Sequence, residues 1–136
     1  MSEQSKLKPG LDPRFLGTWR LASVDREDAA TGQALDVGVK SDGYISYQPD
    51  GHMSVVISRE EPGKPVGITC YAAKWSLDGD KVYHDISISA RPQWVGTRQV
   101  RHFTFHGDML TLRPPESPDV VHGKVTRRAL HWRKVV

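Results

Sequence analysis

Apolar and polar residues alternate along this chain in short runs broken by turn residues, and no stretch carries the spacing of a long amphipathic helix. Residues 17–25 form the first such run. They follow Leu11-Asp12-Pro13-Arg14-Phe15-Leu16, where an N-cap Asp followed by Pro predicts one short helical turn. Residues 26–42 read as a polar loop. Residues 43–47 and 52–57 flank Pro49-Asp50-Gly51, a tight turn whose Gly accepts positive φ. Two more hairpins join 69–77 to 81–90 through Asp78-Gly79-Asp80, and 97–105 to 109–113 through His106-Gly107-Asp108. The segment 59–67, charged and holding Pro62 and Pro65, is expected to be a loop; 114–123 is Pro-rich and irregular, and 125–135 makes a last strand. Eight antiparallel strands joined mostly in order predict an all-β, up-and-down barrel, which leaves no edge exposed. A two-sheet sandwich is the rival that periodicity does not separate from it. At 136 residues there is room for one core, so 1–10 reads as a flexible tail and 11–136 as a single domain.

Side chains alternate across a strand, so the apolar parity of each run predicts what points inward. On 69–77 the inward set is Tyr71, Ala73, Trp75 and Leu77; on 81–90 it is Val82, Ile86 and Ile88, and the same parity carries His84 inward. Phe103 and Phe105 take Gln99 and Arg101 with them, while Tyr47 goes in with Ile45, beside Met53, Val55 and Ile57. The expected interior is therefore apolar with a few polar groups, Tyr47, Tyr71, His84, Gln99 and Arg101, which is the make-up of a small-molecule pocket. Imidazole titrates near neutrality and suits His84 to acid–base work, and the planar guanidinium of Arg101 suits a carboxylate or a developing oxyanion. The plainer alternative is that both are satisfied by neighbours or by water at the barrel mouth.

Composition removes several other classes. A polar N-terminus, MSEQSKLKPG, and the lack of long apolar runs argue against a secretory signal or a membrane span, and the single Cys70 against a disulfide framework. A cytoplasmic setting is expected. The net charge of +3 is uneven: residues 1–90 hold 10 basic and 13 acidic side chains, and 91–136 hold 9 and 3. The basic excess is spread over several segments without interleaved stacking aromatics, so a solvated face is expected rather than nucleic-acid binding. His102 and His106 would share a metal on a helix, but on a strand four residues span roughly 13 Å, and no metal is expected. Cys70 falls on the outward parity with nothing nearby to activate it. No Gly-rich phosphate loop or nucleophile elbow occurs, and no cofactor is expected.

Some segments carry a resemblance. Gly17-Thr18-Trp19-Arg20-Leu21 follows the short helical turn, and Gly43-Tyr44-Ile45-Ser46-Tyr47 leads into Gln48-Pro49-Asp50-Gly51-His52-Met53-Ser54. Tyr71-Ala72, Val82-Tyr83-His84, Pro92-Gln93-Trp94-Val95-Gly96-Thr97, Val100-Arg101, Asp108-Met109-Leu110-Thr111-Leu112 and Trp132-Arg133 continue the pattern to the last strand. Together they resemble the bacterial and fungal lipocalin-like domain family, over nearly the whole chain from Phe15 onward. The stretch from His84 to Arg101 is the most distinctive part. The resemblance implies a calycin-type barrel of eight strands with an apolar cavity, in which Trp19 plugs the closed end and His84, Trp94 and Arg101 occupy typical positions. Some related barrels serve natural-product pathways as cyclases or isomerases without cofactors. Two departures stand out: 59–68 is short and Pro-rich where relatives often carry a helix-containing stretch, which argues against a lid, and Ala73 replaces a usual Gly.

Three functions follow as expectations. The first is a cofactor-independent isomerase, cyclase or lyase acting on a hydrophobic metabolite, with His84, Arg101 and Tyr71 catalytic and Tyr47, Met53, Val55, Trp75, Ile86, Trp94, Gln99, Phe103 and Phe105 binding the substrate. The second is a carrier that holds the same class of ligand unchanged. The third is an interaction module with a filled interior. A closed barrel suits a monomer and a homodimer equally.

Overall fold

In a computed structural model describing residues 7–35, 38–119 and 123–135, the chain runs through nine strands. These are β1 (Gly17–Asp28), β2 (Lys40–Tyr47), β3 (His52–Glu60), β4 (Gly67–Asp78), β5 (Lys81–Ser89), β6 (Arg98–His106), β7 (Met109–Arg113), β8 (Ser117–Asp119) and β9 (Lys124–Lys134). Eight of them, all but β8, form a closed antiparallel ring in chain order, sealed by pairing of β9 with both β7 and β1. The sandwich alternative is thereby removed. The short β8 pairs with the first residues of β9, beyond the reach of β7, so the segment expected to be irregular holds a strand in part. β1 and β2 also reach further into the segment read as a polar loop, as far as Asp28 and from Lys40. Among the described residues no helix is long and apolar enough to cross a membrane.

Before β1, Pro13–Phe15 makes one 3-10 turn. Asp12 accepts the Arg14 amide at 2.9 Å and Pro13 supplies a preset φ, which is why so short a turn holds. Its outcome is Phe15, fully buried, whose ring meets Tyr47, Trp75, Phe103 and Phe105 at centroid separations of 5.1, 5.3, 4.9 and 5.0 Å. The turn is pinned from β1 and β9: the Trp19 indole N–H donates to the Phe15 carbonyl at 2.9 Å, and the Lys134 ammonium donates to the Leu16 carbonyl. The same ammonium lies 4.5 Å from the centre of the Trp19 ring. Of the expected tail, residues 1–6 lie outside the described residues, and the Lys8 amide donates to the Pro49 carbonyl at 2.8 Å.

The inward parities hold with one exception. Tyr71, Ala73 and Trp75 are buried on β4, as are Val82, His84 and Ile86 on β5, but Ile88 is 70% exposed. The cause is a bulge: Ala73 pairs with Ile86 and Ala72 with Ile88, leaving Ser87 as an extra residue that turns the rest of β5 over. Gly43 on β2 answers a close approach, since a Cβ there would run into the Val56 carbonyl of β3.

The charge asymmetry of the sequence is resolved at the seam. β1, carrying Asp25, Glu27 and Asp28, lies against basic β9: Arg127 reaches Glu27 at 2.8 Å, Lys124 reaches Asp28 at 3.5 Å and His131 reaches Asp25 at 2.8 Å. Replacing Phe15 with Ala is expected to lower the unfolding free energy by about 3–5 kcal/mol, the usual loss for a fully packed aromatic ring. Denaturant titration of the variant checks this, and a loss below about 1 kcal/mol would show that the ring is not part of the core.

Candidate functional site

Above the Phe15 floor, three strands bring three polar side chains into contact. β5 places His84 opposite Trp75 of β4 and Gln99 of β6. β2 ends with Tyr47, and β4 carries Tyr71 one turn of the pleat above Ala73. The Tyr47 hydroxyl lies 2.7 Å from Nε2 of His84 and the Tyr71 hydroxyl 2.7 Å from Nδ1, so both ring nitrogens are engaged at once. None of the three is open to bulk water: Tyr47 is 1% exposed, His84 1% and Tyr71 6%.

Burial decides the electrostatics. Desolvation, with the Arg101 charge adding to it, lowers the His84 pKa from 6.5 to about 3, so the imidazole is neutral across the physiological range. Burial likewise raises the Tyr47 and Tyr71 pKa values, partly offset by Arg101, and both phenols keep their protons. Arg101 itself is half-buried on β6; Nη1 donates to the Val100 carbonyl at 2.9 Å and to the Gln99 side chain at 3.4 Å. Its Nε and Nη2 have no partner among the described residues.

The other expected site residues fall into two layers. Met53, Val55, Trp75 and Ile86 are buried in the wall, and the Trp75 indole donates to the Gln48 carbonyl at 3.0 Å. Gln99, Phe103 and Phe105 point inward yet are only half-buried, as are Ile57, Val24 and Leu130. On β6 the inward face is thus less enclosed than the buried inward residues of β4 and β5. Trp94 sits at that side, on a second 3-10 turn (Pro92–Trp94), with its ring 6.2 Å from Tyr71 and the Arg91 guanidinium 4.7 Å from its centre. The structure thus gathers Tyr47, Tyr71 and His84 into one hydrogen-bonded chain and leaves Trp94, Gln99 and Arg101 half-buried.

Phe15 is the participant that the strand pattern did not nominate as part of the interior. The available signal was a large apolar residue inside an otherwise polar, Pro-started turn. A groove of about 340 Å³ runs over the outer face of β2 to β5, lined by Tyr44, Val56, Cys70, Ile88 and Tyr71 among others. His102 is exposed and faces Asp80 at 3.5 Å, and Cys70 is exposed, as its parity required.

Comparison with known proteins adds two findings. A family model described as a lipocalin-like domain matches residues 65–135, from β4 to the end of β9. A 4'-hydroxy-3'-methoxypropiophenone carrier protein of Aspergillus oryzae is 38% identical over 55 residues, 40% of this chain and 49% of that protein, so the match spans about half of that relative's length.

The lowered His84 pKa has a measurable sign. The unfolded chain binds the proton near 6.5 and the folded one only near 3, so the contribution is complete above 6.5 and is lost as pH falls toward 3. Unfolding free energies are expected to fall by roughly 1.4 kcal/mol per pH unit below that point, beginning where carboxylates are still ionised. His84→Gln removes this component. Denaturant titrations at pH about 6.5 and about 5 measure it, and equal slopes for the two proteins would contradict the assignment.

Proposed function

Because the chain belongs to the lipocalin-like domain family, we propose that it binds a hydrophobic, aromatic small molecule inside the barrel and carries it unchanged. The observation that carries this reading is the state of His84. An acid–base catalyst has to gain and lose a proton beside its substrate, with a pKa near the working pH. His84 is desolvated, held neutral and occupied at both nitrogens by tyrosyl hydroxyls. That arrangement suits a fixed, uncharged hydrogen-bonding wall better than the proton shuttle of an isomerase, cyclase or lyase. The half-buried inner face of β6, with Phe103 and Phe105 alongside Gln99 and Arg101, supplies apolar area with polar groups beside it, as ligand pockets do.

The carrier activity in the name of the Aspergillus oryzae relative supports the same reading, and the ligand in that name, an aryl ketone, is of the chemical class proposed. One fold hosts many functions, so the weight rests on the site rather than on the likeness. The exposed lone thiol of Cys70 supports a reducing, cytoplasmic setting.

Native mass spectrometry of gently purified protein, set beside an organic extract of it, tests the proposal. The expected result is one hydrophobic aromatic molecule per barrel, recovered intact after prolonged incubation with stoichiometric protein. The same spectrum counts the subunits. Trp94→Ala is expected to weaken binding by about tenfold through the lost ring contact. Recovery of a converted molecule, abolished by Arg101→Gln, would instead bring the cofactor-free enzyme forward, and an empty barrel with no uptake would favour an interaction module.

A further inference from the structure

The groove on the outer wall of β2 to β5 is built from two rows of outward side chains that cross the four strands. Register sets Tyr44 beside Val56 and Val56 beside Cys70, and the amide of Ala90, just past β5, donates to the Cys70 carbonyl at 3.1 Å. The neighbouring row runs Ser46, Ser54, Ala72, Ile88. The first row falls in size from β2 to β5 and the second rises. Ile88 stands on this face because the bulge at Ser87 turns it out. The tall residues, Tyr44 and Ile88, thus occupy opposite corners with a low floor between them, and the wall is hollowed by about 340 Å³.

We propose that this face is the interface between two copies of this chain, packed sheet against sheet about a two-fold axis. When two identical faces meet in this way, the axis lies in the plane of contact. An axis along the rows sets Tyr44 against the partner's Ser46, Val56 against the partner's Ser54 and Ile88 against the partner's Ala90. An axis along the strands sets Tyr44 against the partner's Ala90 and Ile88 against the partner's Ser46. Either way each tall residue of one copy meets a small one of the other, which is the fit that a packed interface core requires.

Charge selects the same occupant. Near a two-fold axis each group meets its own kind, so a charged side chain there repels its copy. None of the described residues lining the groove is charged, and its polar side chains include Ser46, Ser54 and Ser89. A hydroxyl both donates and accepts, so it can bond another hydroxyl. Charges at the border are offset on their own chain: Arg20 holds Asp42 at 2.9 Å, Lys40 lies opposite Glu60, and Asp85, opposite Lys74, holds Arg98 at 2.7 Å. With one flanking row on each side, four strands about 4.8 Å apart and four rows about 6.8 Å apart span roughly 500 Å² per copy. That area stands at the lower limit for a specific association, which fits a dimer formed at micromolar concentration. The inference is independent of what the barrel carries.

Sedimentation equilibrium of the full chain from about 5 to about 500 μM tests it. A monomer–dimer equilibrium within that range is expected, and a monomer throughout overturns the proposal. Val56→Lys brings two ammonium groups to the middle of the contact and is expected to raise the dissociation constant by more than about tenfold. Thr104→Glu, on the exposed outer face of β6, is expected to leave it within about twofold. A dimer that survives Val56→Lys, or that Thr104→Glu weakens as much, lies elsewhere on the barrel and overturns the assignment. Should Val56→Lys fold poorly by circular dichroism, Ile88→Ser, which removes a tall exposed residue without adding charge, carries the same comparison. Cys70 supplies a second reading, because it lies near the axis in either arrangement. A short bismaleimide is expected to join two native chains through Cys70 at dimer-forming concentrations, and a sedimenting dimer that it fails to join overturns the proposed face.

Discussion

The insertion of Phe15 into the barrel is the contact on which the interior depends. Eight strands enclose a space that side chains have to fill at one end if the other is to stay open. Phe15 does this from outside the sheet, joining Tyr47 and Trp75 to Phe103 and Phe105 across the diameter. With the floor sealed, the layer above it is cut off from water on that side, and His84 loses its charge as a result. Both tyrosines bond the same ring. A packing contact made by a three-residue turn ahead of β1 thus helps to keep water from a residue on β5.

This order of causes bears on the choice between carrying and converting a ligand. Small apolar barrels are suited to either, because they exclude water and hold a substrate in one conformer. What separates the two is whether a titratable group near the ligand can change charge. Here the charged group nearby is the Arg101 guanidinium, and both nitrogens of the imidazole are taken by tyrosyl hydroxyls. Affinity and orientation are what such a site supplies most readily.

Much of the barrel was legible in the chain because β-structure writes itself with a period of two. The hairpin turns at Asp50-Gly51, Asp78-Gly79 and Gly107-Asp108 gave the strand order, and parity placed His84 and Arg101 on the inner face. Parity fails where one residue is added. The bulge at Ser87 carries no mark in an alternating run, so Ile88 read as core and lies outside. Register across strands is likewise silent in a single strand, which is why five inward polar residues were visible but not that Tyr47 and Tyr71 meet at one imidazole. Phe15 was hidden for a different reason, since a 3-10 turn has no periodicity to betray which side is buried. The family likeness added the expectation of an open interior, which residue pattern alone could not give.

The pairing of acidic β1 with basic β9 has a kinetic side. Arg127 and Glu27 are 100 residues apart, and β1 finds its second neighbour only when β9 arrives. During synthesis the first strand is therefore made early and waits with one edge unpaired while six others form. An uncovered edge is an invitation to other chains. The carboxylates of β1 keep that edge charged and hydrated in the interval, and the basic last strand, complementary to it, is steered home over the distance at which salt does not yet screen the attraction. Long-range closure of this kind is slow by topology, and the ion pairs at the seam, worth little once formed, act chiefly on how safely the chain waits for it.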